Sequence, residues 1–241
     1  MTVLLLAGTA EARHVAEGLA ARGVHAVASL AGATSTPNPY PILTRSGGFG
    51  GDAAFETYLH EHHVSAVLDA THPFADQISR RAASLTAKHR LPYLQLLRPE
   101  WRAEAQDHWC HVPDLNAAAA ALSDARKVFM AIGRKALPQL AGFAQVELYL
   151  RGIEAAQSPF PAESGRYIVA RPPFTVASEM ELFQRLEIDT LVVKNAGGNA
   201  VAKLEAARAL GLKVIMIDRP VQPEGAKVAT VKEMLDWVDQ L

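Results

Sequence analysis

Apolar runs and helical repeats alternate along this chain. An unbroken apolar run over residues 3–7 is typical of a strand that is buried on both faces, as in a parallel sheet. The run stops at Gly8, and the following residues place Val15 and Leu19 on one face of a helix. The first amides of a helix have no internal partner and carry partial positive charge. The strand, glycine turn and helix therefore predict a phosphate site.

The same alternation continues to the end of the chain. We predict further strands at about 25–30, 42–45, 64–70, 91–97, 109–112, 127–132, 147–150, 167–170, 190–193 and 214–217, and helices at about 53–62, 75–89, 114–122, 174–186, up to 210 and from 231 onward. Two successive β-α series predict an α/β protein with two Rossmann-like domains and mainly parallel sheets. We expect the domains at 1–112 and 113–241, the last helix packed back on the first domain, and the active site in the cleft between the two.

The glycine turn matches the dinucleotide-binding fingerprint only in part. The full motif has three glycines, G-x-G-x-x-G, whereas here Gly8 is followed by Thr9, Ala10 and Ala12. Small residues still let a pyrophosphate approach, and the Thr9 hydroxyl can bond it. An ordinary strand–helix turn is the alternative, and the pattern favours nucleotide binding over it.

The end of the second predicted strand carries no carboxylate. In NAD sites an Asp or Glu at this point bonds the ribose hydroxyls, whereas this chain has Ser29 followed by Leu-Ala-Gly-Ala-Thr. A 2′-phosphate is tolerated there, and Ser29, Thr34 and Arg45 are the candidates to bind it. The missing carboxylate points to NADP, although Ser29 is equally well explained as a strand-end hydroxyl that caps a turn.

Four glycines follow the predicted strand at 42–45, in Ser-Gly-Gly-Phe-Gly-Gly at 46–51. So many glycines predict positive φ angles and close backbone approach to a ligand, and Gly48 joins the candidate cofactor site. Turn geometry alone explains one or two of them. Asp52 is predicted to cap the helix that follows.

The strand at 64–70 ends in Thr71-His72-Pro73-Phe74. Ligands of open α/β sheets bind at the carboxyl edge, so these residues are expected level with the glycine turn. His72 is a candidate to bond a cofactor or to act as an acid near neutral pH. The alternative role of His72 is to cap the next helix, whose first turn suits Pro73.

Basic residues recur just beyond the strands of the second half. They are Arg134, Lys135, Arg151, Arg171, Lys194 and Arg219. Because strand ends meet at one edge of a sheet, the set predicts a carboxylate- or phosphate-binding site. Each one alone is better explained as a solvated charge. Lys194 is the strongest candidate. Asn195, Gly197 and Gly198 join the predicted substrate site, since the glycine pair permits close backbone approach.

Composition narrows the class of protein. With 241 residues, 49% hydrophobic and 20% charged, the chain suits a soluble globular protein, and a formal net charge of −1 argues against a general nucleic-acid binder. The single Cys110 excludes an internal disulfide, and neither a membrane-length apolar run nor a signal segment is present, so we expect a cytoplasmic protein. No metal or covalent-catalysis motif occurs, and His60, His62 and His63 favour a solvated helix end over a metal site.

Four motifs together resemble a known family. They are Leu-Ala-Gly-Thr-Ala-Glu at 6–11, Gly-Gly-Phe-Gly-Gly at 47–51, Asp-Ala-Thr-His-Pro-Phe-Ala at 69–75 and Lys-Asn-Ala-Gly-Gly at 194–198. Their order and spacing resemble the precorrin-6A reductases of cobalamin biosynthesis over nearly the whole chain, with 69–75 the most specific part. The resemblance implies an NADPH-dependent reduction of one double bond of precorrin-6A to precorrin-6B, without metal or flavin. Whether the substrate is metal-free or its cobalt-containing counterpart stays open.

The resemblance also implies roles for the candidate residues. In the first domain Gly8, Thr9, Ala10 and Glu11 would hold the pyrophosphate, Ser29 and Arg45 the 2′-phosphate, and Thr71, His72, Pro73 and Phe74 the nicotinamide half. Glu11 is better explained as a helix-start residue than as a direct ligand. In the second domain Arg134, Lys135, Arg171, Lys194 and Arg219 would hold the acetate and propionate arms of the tetrapyrrole. The proton donor is His72, Lys194 or water.

Two other functions stay open at this stage. One is a different NADP-dependent reductase of a polycarboxylate, and the other is a protein that senses NADP without turnover. Neighbouring enzymes of the pathway are further candidate partners, whereas nucleic acid and membrane are not expected.

Overall fold

The computed structural model describes residues 2–32, 39–143, 145–153 and 158–241, and only the backbone of 134, 135, 137, 141 and 142. In chain order the strands are β1 Thr2–Leu6, β2 Ala26–Leu30, β3 Leu43–Ser46, β4 Val64–Asp69, β5 Tyr93–Leu96, β6 His108–Val112, β7 Lys127–Ala131, β8 Glu147–Gly152, β9 Gly165–Val169, β10 Thr190–Lys194, β11 Lys213–Ile217 and β12 Lys227–Val228. The helices are α1 Ala10–Ala21, α2 Asp52–Glu61, α3 Asp76–His89, α4 Leu115–Ala120, α5 Val176–Arg185, α6 Ala202–Ala209 and α7 Val231–Val238, with a 3-10 helix at Arg134–Phe143.

The chain folds into two compact units. The first unit comprises Met1–Pro99 and Pro220–Leu241, and the second comprises Glu100–Arg219. Each contains a six-stranded sheet whose neighbouring strands are all parallel. The predicted α/β class with two Rossmann-like domains is therefore confirmed.

Both sheets have the same doubly wound arrangement of five strands, and a sixth strand joins one edge. The first order is β12-β5-β4-β1-β2-β3 and the second is β6-β11-β10-β7-β8-β9. In the first unit the chain runs outward from β1 to β3 and returns to the other side of β1, and in the second it does the same from β7 to β9. The edge strand is the last strand of the first unit, β12, and the first strand of the second, β6. The order reverses between β1 and β4 in the first unit and between β7 and β10 in the second. Ligands of such sheets bind at this switch point, outside the carboxyl ends of the strands.

The boundary between the units differs from the predicted one after residue 112. Strand β6 pairs with β11 along its whole length, from His108 opposite Lys213 to Val112 opposite Ile217, and so belongs to the second sheet. Strand β12 pairs with β5 and returns the end of the chain to the first unit. The prediction was wrong because the partner of an edge strand is a long-range property that local pattern does not encode.

The last helix packs on the first unit, as expected. Met234, Leu235 and Val238 are buried in one core cluster together with Leu19 of α1. Gly18 allows this approach, because a Cβ at that position would lie 2.3 Å from Leu235 Cδ1. The amphipathic face of α7 is therefore part of the core that supports β1 and its glycine turn.

Candidate active site

The turn after β1 is built as a helix start. Gly8 has φ +123°, a backbone conformation that other residues rarely adopt. The Thr9 hydroxyl accepts from the Ala12 amide at 3.0 Å and donates to the Ala70 carbonyl at 2.7 Å. This hydroxyl therefore caps α1 and joins the ends of β1 and β4, which corrects its predicted role as a phosphate donor. The amides of Ala10 and Glu11 lie in the first turn of α1, where the helix has no carbonyl one turn earlier to accept from them.

Glu11 forms an ion pair with Arg98, which follows β5. Arg98 Nη1 lies 2.5 Å from Glu11 Oε2, and the two side chains are only 14% and 25% exposed, respectively. The Glu11 carboxylate is thus engaged within the fold, in agreement with a helix-start role. Arg98 was not predicted, because nothing local in Arg-Pro-Glu-Trp-Arg indicates a contact across 87 positions of sequence.

The structure brings Ser29, Arg45 and Gly48 together. Ser29 lies opposite Arg45 in the parallel pairing of β2 with β3. Arg45 Nη1 donates to Ser29 Oγ at 2.7 Å and Nη2 donates to the Gly48 carbonyl at 3.2 Å. The guanidinium carbon also lies 4.1 Å from the centroid of the Phe49 ring. These three residues of the predicted cofactor site therefore lie together, and a fixed cation stands where the second strand ends.

The glycine loop has the conformation that its composition predicts. Gly47, Gly50 and Gly51 have positive φ angles. Gly48 does not have a positive φ angle, and it contributes through its carbonyl, which accepts from Arg45 Nη2. The prediction that Asp52 caps α2 was wrong: the cap residue is Gly51, and Asp52 Oδ1 instead lies 2.5 Å from Arg81 Nε. Thr34 lies outside the described residues.

Asp69 anchors the end of β4, a role that the sequence did not reveal. Its carboxylate is fully buried. Oδ1 accepts from the amide and hydroxyl of Thr71 at 3.0 and 2.7 Å, and Oδ2 accepts from the Tyr93 hydroxyl at 2.9 Å. Burial, and after it the Asp69 carboxylate, raise the pKa of Tyr93 far above its usual value. Thr71 is thereby fixed beside the ends of β1 and β4.

His72, Pro73 and Phe74 lie in a β-turn ahead of α3. The Ala75 amide donates to the His72 carbonyl at 2.7 Å, so Pro73 occupies the second turn position, which suits its fixed φ. The helix begins only at Asp76, and the prediction that Pro73 lies in its first turn was wrong. The side chain of Gln222 donates to the Pro73 carbonyl at 3.0 Å. His72 is exposed at this edge of the first sheet.

At the switch point of the second unit, Lys194 ends β10 and a glycine pair follows. Gly197 and Gly198 have φ angles of +66° and +73°. Asn195 is 3% exposed; its Oδ1 accepts from the Trp101 amide at 3.0 Å and its Nδ2 donates to the Trp101 carbonyl at 3.2 Å. Trp101 Nε1 donates in turn to the Gly198 carbonyl at 2.7 Å. Asn195 thus serves to fix Trp101 to the loop, whereas we had predicted it to contact substrate.

The predicted basic set divides into different roles. Arg219 Nε donates to the Asn195 carbonyl at 2.7 Å, and its side chain is 6% exposed, so it supports the loop. Arg151 forms a buried bidentate pair with Glu179 at 2.6 and 2.8 Å and is not a surface cation. Arg171 is exposed and donates to the Ile153 carbonyl at 3.1 Å. The side chains of Arg134 and Lys135 lie outside the described part of the chain.

Lys203 is a basic residue of this region that sequence reasoning missed. It is the second residue of α6, and its Nζ lies 4.6 Å from the centroid of the Trp101 ring and donates to the Ala200 carbonyl at 2.6 Å. The pKa of Lys203 is lowered to about 8, first by burial and then by the charge of Arg151, whereas Glu179 opposes the shift. A lysine within a helix gives no sequence signal of this environment.

Two further features of the described residues bear on the kind of site. They contain no group of three or more His, Cys, Asp or Glu side chains that could hold a metal ion. None of the helices in the described ranges is long and apolar enough to cross a membrane.

Comparisons with known proteins give the family. The family model described as precorrin-6x reductase CbiJ/CobK matches residues 2–239. The chain is 44% identical to the precorrin-6A reductase of Rhodobacter capsulatus, covering 98% of this chain and 95% of that protein. It is 28% identical to the cobalt-precorrin-6A reductase of Synechocystis, covering 91% and 88%. A solved structure, CobK precorrin-6A reductase, superimposes with a TM-score of 0.94 at 43% identity, covering 100% of this chain and 96% of that one.

These matches confirm the resemblance drawn from the four sequence motifs. The family model and the solved structure both cover the two units. The similarity is therefore not limited to one Rossmann-like unit. The chain therefore belongs to the precorrin-6x reductase CbiJ/CobK family, oxidoreductases of cobalamin biosynthesis.

Proposed function

We propose that this protein is an NADPH-dependent precorrin-6A reductase that reduces one double bond of the macrocycle to give precorrin-6B. The full-length family match supports a reductase. The observation that carries the choice of NADPH is the fixed Arg45 guanidinium at the ends of β2 and β3, bonded to Ser29 and Gly48. In the place where an NAD site has a carboxylate, this protein offers a cation.

The residues of the first unit fit a dinucleotide. A Cβ built on Gly8 would meet no atom within 4 Å, so there is open space above the turn for a pyrophosphate. Helix α1 begins directly after this turn, at the switch point, and its opening amides and dipole favour an anion there. Arg45 and Ser29 would hold the 2′-phosphate, and the turn from Thr71 to Phe74 would flank the nicotinamide. When bound, the reduced nicotinamide supplies the hydride.

The second unit differs in a way that suits the substrate. Strand β7 ends at a glycine turn with Gly133 at φ +77°, but a 3-10 helix at Arg134–Phe143 follows it and not a regular α-helix. The turn after β7 is therefore not followed by the row of α-helical amides that a pyrophosphate uses. Cationic side chains, with Lys194 at the switch point and Arg171 beyond β9, are suited to the carboxylate arms of the tetrapyrrole.

Reduction also requires a proton. His72 and Lys194 stay the candidate donors, with water as the third, and the contribution of the protein is mainly to hold both ligands in register. The metal-free substrate is favoured over the cobalt-containing one because identity is 44% and 41% to two precorrin-6A reductases and 28% to a cobalt-precorrin-6A reductase.

Anaerobic mixing with NADPH and precorrin-6A tests this proposal. We expect loss of the nicotinamide absorbance together with a changed macrocycle spectrum. Cofactor binding without turnover would support the sensor, and oxidation of NADPH only by another polycarboxylate would support the other reductase. Cobalt-precorrin-6A in a parallel reaction distinguishes the two forms of the substrate.

Arg45→Ala tests the cofactor assignment. Loss of a charge-assisted contact to phosphate costs about 1.5–3 kcal/mol, so NADPH binding should weaken about ten- to hundredfold while NADH binding stays unchanged. Arg22→Ala is the matched control, since it removes a guanidinium paired with Asp239 at the far end of α1. Equal weakening of NADPH and NADH in Arg45→Ala would remove Arg45 from the phosphate site.

A further inference from the structure

A cluster of three charges in the second unit is not neutral. Arg151 and Glu179 are 8% and 1% exposed and form a bidentate pair, so their charges cancel. Arg151 is also stacked near the rings of Phe129 and Phe174, at 4.7 and 4.2 Å from their centroids. Lys203 adds a positive charge that this pair does not balance, because the one negative charge of Glu179 is already matched by Arg151.

The surroundings of Lys203 hold its ammonium group without supplying an anion. Within the described ranges its Nζ has a backbone carbonyl and an aromatic face as partners and forms no ion pair. The aromatic face is itself fixed, since Asn195 bonds both backbone groups of Trp101 and the indole donates to the Gly198 carbonyl. The lysine therefore stands in one place, next to the loop that follows β10, and has no counter-ion among the described residues.

We propose that Lys203 binds a carboxylate arm of the tetrapyrrole substrate, held in position by the face of Trp101. This inference rests on the proposed function and adds a substrate contact in the second unit. A lysine ammonium is a compact charge that accepts a carboxylate from several directions. The lowered pKa agrees with this, because burial and Arg151 both penalise the ammonium form and an arriving carboxylate would restore it.

The variant Lys203→Gln tests the proposal. Glutamine keeps polarity and most of the length of the side chain and removes the charge. We expect precorrin-6A binding, measured without cofactor by quenching of tryptophan fluorescence, to weaken about ten- to hundredfold. NADPH affinity should be unchanged, and in turnover KM for precorrin-6A should rise more than kcat falls.

Two comparisons make the result specific. Lys127→Gln removes a lysine of the same unit that is paired with Glu187 at the opposite, amino edge of β7, and should leave precorrin-6A binding unchanged. Lys203→Arg keeps the charge and should retain more affinity than the glutamine variant. If Lys203→Gln unfolds at a lower urea concentration than the wild type, the arginine variant shows whether the loss of affinity comes from the missing charge or from the lower stability.

The outcomes separate this inference from the proposed function. If the wild type neither binds nor reduces precorrin-6A, the proposed function fails. If the wild type does both and Lys203→Gln binds precorrin-6A equally well, only the role of Lys203 is overturned. A fall in kcat with unchanged substrate affinity would overturn it as well, because it would make Lys203 a proton donor and not a carboxylate ligand.

Discussion

Replacing Asp69 with alanine should loosen the turn that we assign to the nicotinamide. The carboxylate is fully buried and accepts from the Thr71 amide at 3.0 Å, the Thr71 hydroxyl at 2.7 Å and the Tyr93 hydroxyl at 2.9 Å. After the change the Thr71 hydroxyl still has Ser79 Oγ at 3.3 Å, which leaves two donors without their acceptor. Each unsatisfied group costs about 1–3 kcal/mol, whereas removal of the buried carboxylate charge is stabilising. We therefore expect the free energy of unfolding to fall by about 2–4 kcal/mol.

Urea denaturation measures this loss, and cofactor titration measures its effect on the site. We expect the NADPH dissociation constant of Asp69→Ala to rise, since Thr71 loses its anchor. Asp69→Asn keeps an oxygen for Thr71 and can donate to the Tyr93 oxygen, so it should lose about half as much stability. Tyr93→Phe removes one of the three hydrogen bonds and should cost about 1 kcal/mol. If Asp69→Ala is as stable as the wild type, the carboxylate does not organise this edge.

Two further predictions concern charge in the second unit. The pKa of Lys203 is lowered from 10.5 to about 8, so between these values the unfolded chain binds more protons than the fold does, and stability should rise with pH over this window. Urea titrations at several pH values should show this rise in the wild type, and a rise of the same size in Lys203→Gln would contradict the assignment. Glu179→Gln leaves the buried Arg151 without its anion and should cost about 3–5 kcal/mol in thermal or urea denaturation. A double change to Arg151→Met and Glu179→Met should cost less than that single change, and additive losses would argue against the pair.

The parts of the site that the sequence predicted follow from chain order in a parallel sheet. Strands β1, β2 and β3 are neighbours in sequence and in the sheet, so the ends of β2 and β3 bring Ser29 and Arg45 together without any long-range information. The glycine-rich loop at 47–51 likewise indicates positive φ angles from local sequence, and three of its four glycines have them. The position of the turn after β4 was predictable as well, because β4 pairs with β1 in parallel and ends at the same edge of the sheet.

The parts that were missed depend on contacts between distant residues. Asn195 and Trp101 are 94 positions apart, and their pairing turns an expected substrate ligand into a support for the loop. Arg151 follows the predicted strand at 147–150 as a solvated cation would, yet it lies within β8 and its partner Glu179 is 28 positions further on, on α5. Lys203 was overlooked because the residues that bury it come from other elements. In each case the residue type is visible in the sequence, whereas its partner is not.

The two units share the same arrangement of five strands around the switch point, yet the chemistry of their switch points differs. In the first, the segments 7–9 and 70–75 contain no Lys, Arg, Asp or Glu, and the Glu11 charge is matched by Arg98. An anion there must be held by backbone amides and the helix dipole, which suits the shared pyrophosphate of a dinucleotide. In the second, Lys194 and Lys203 flank the glycine pair, and a 3-10 helix replaces the α-helix. Side-chain cations can reach several separate carboxylates, so the unit suits a ligand with many acid arms, and the reaction needs one ligand of each kind.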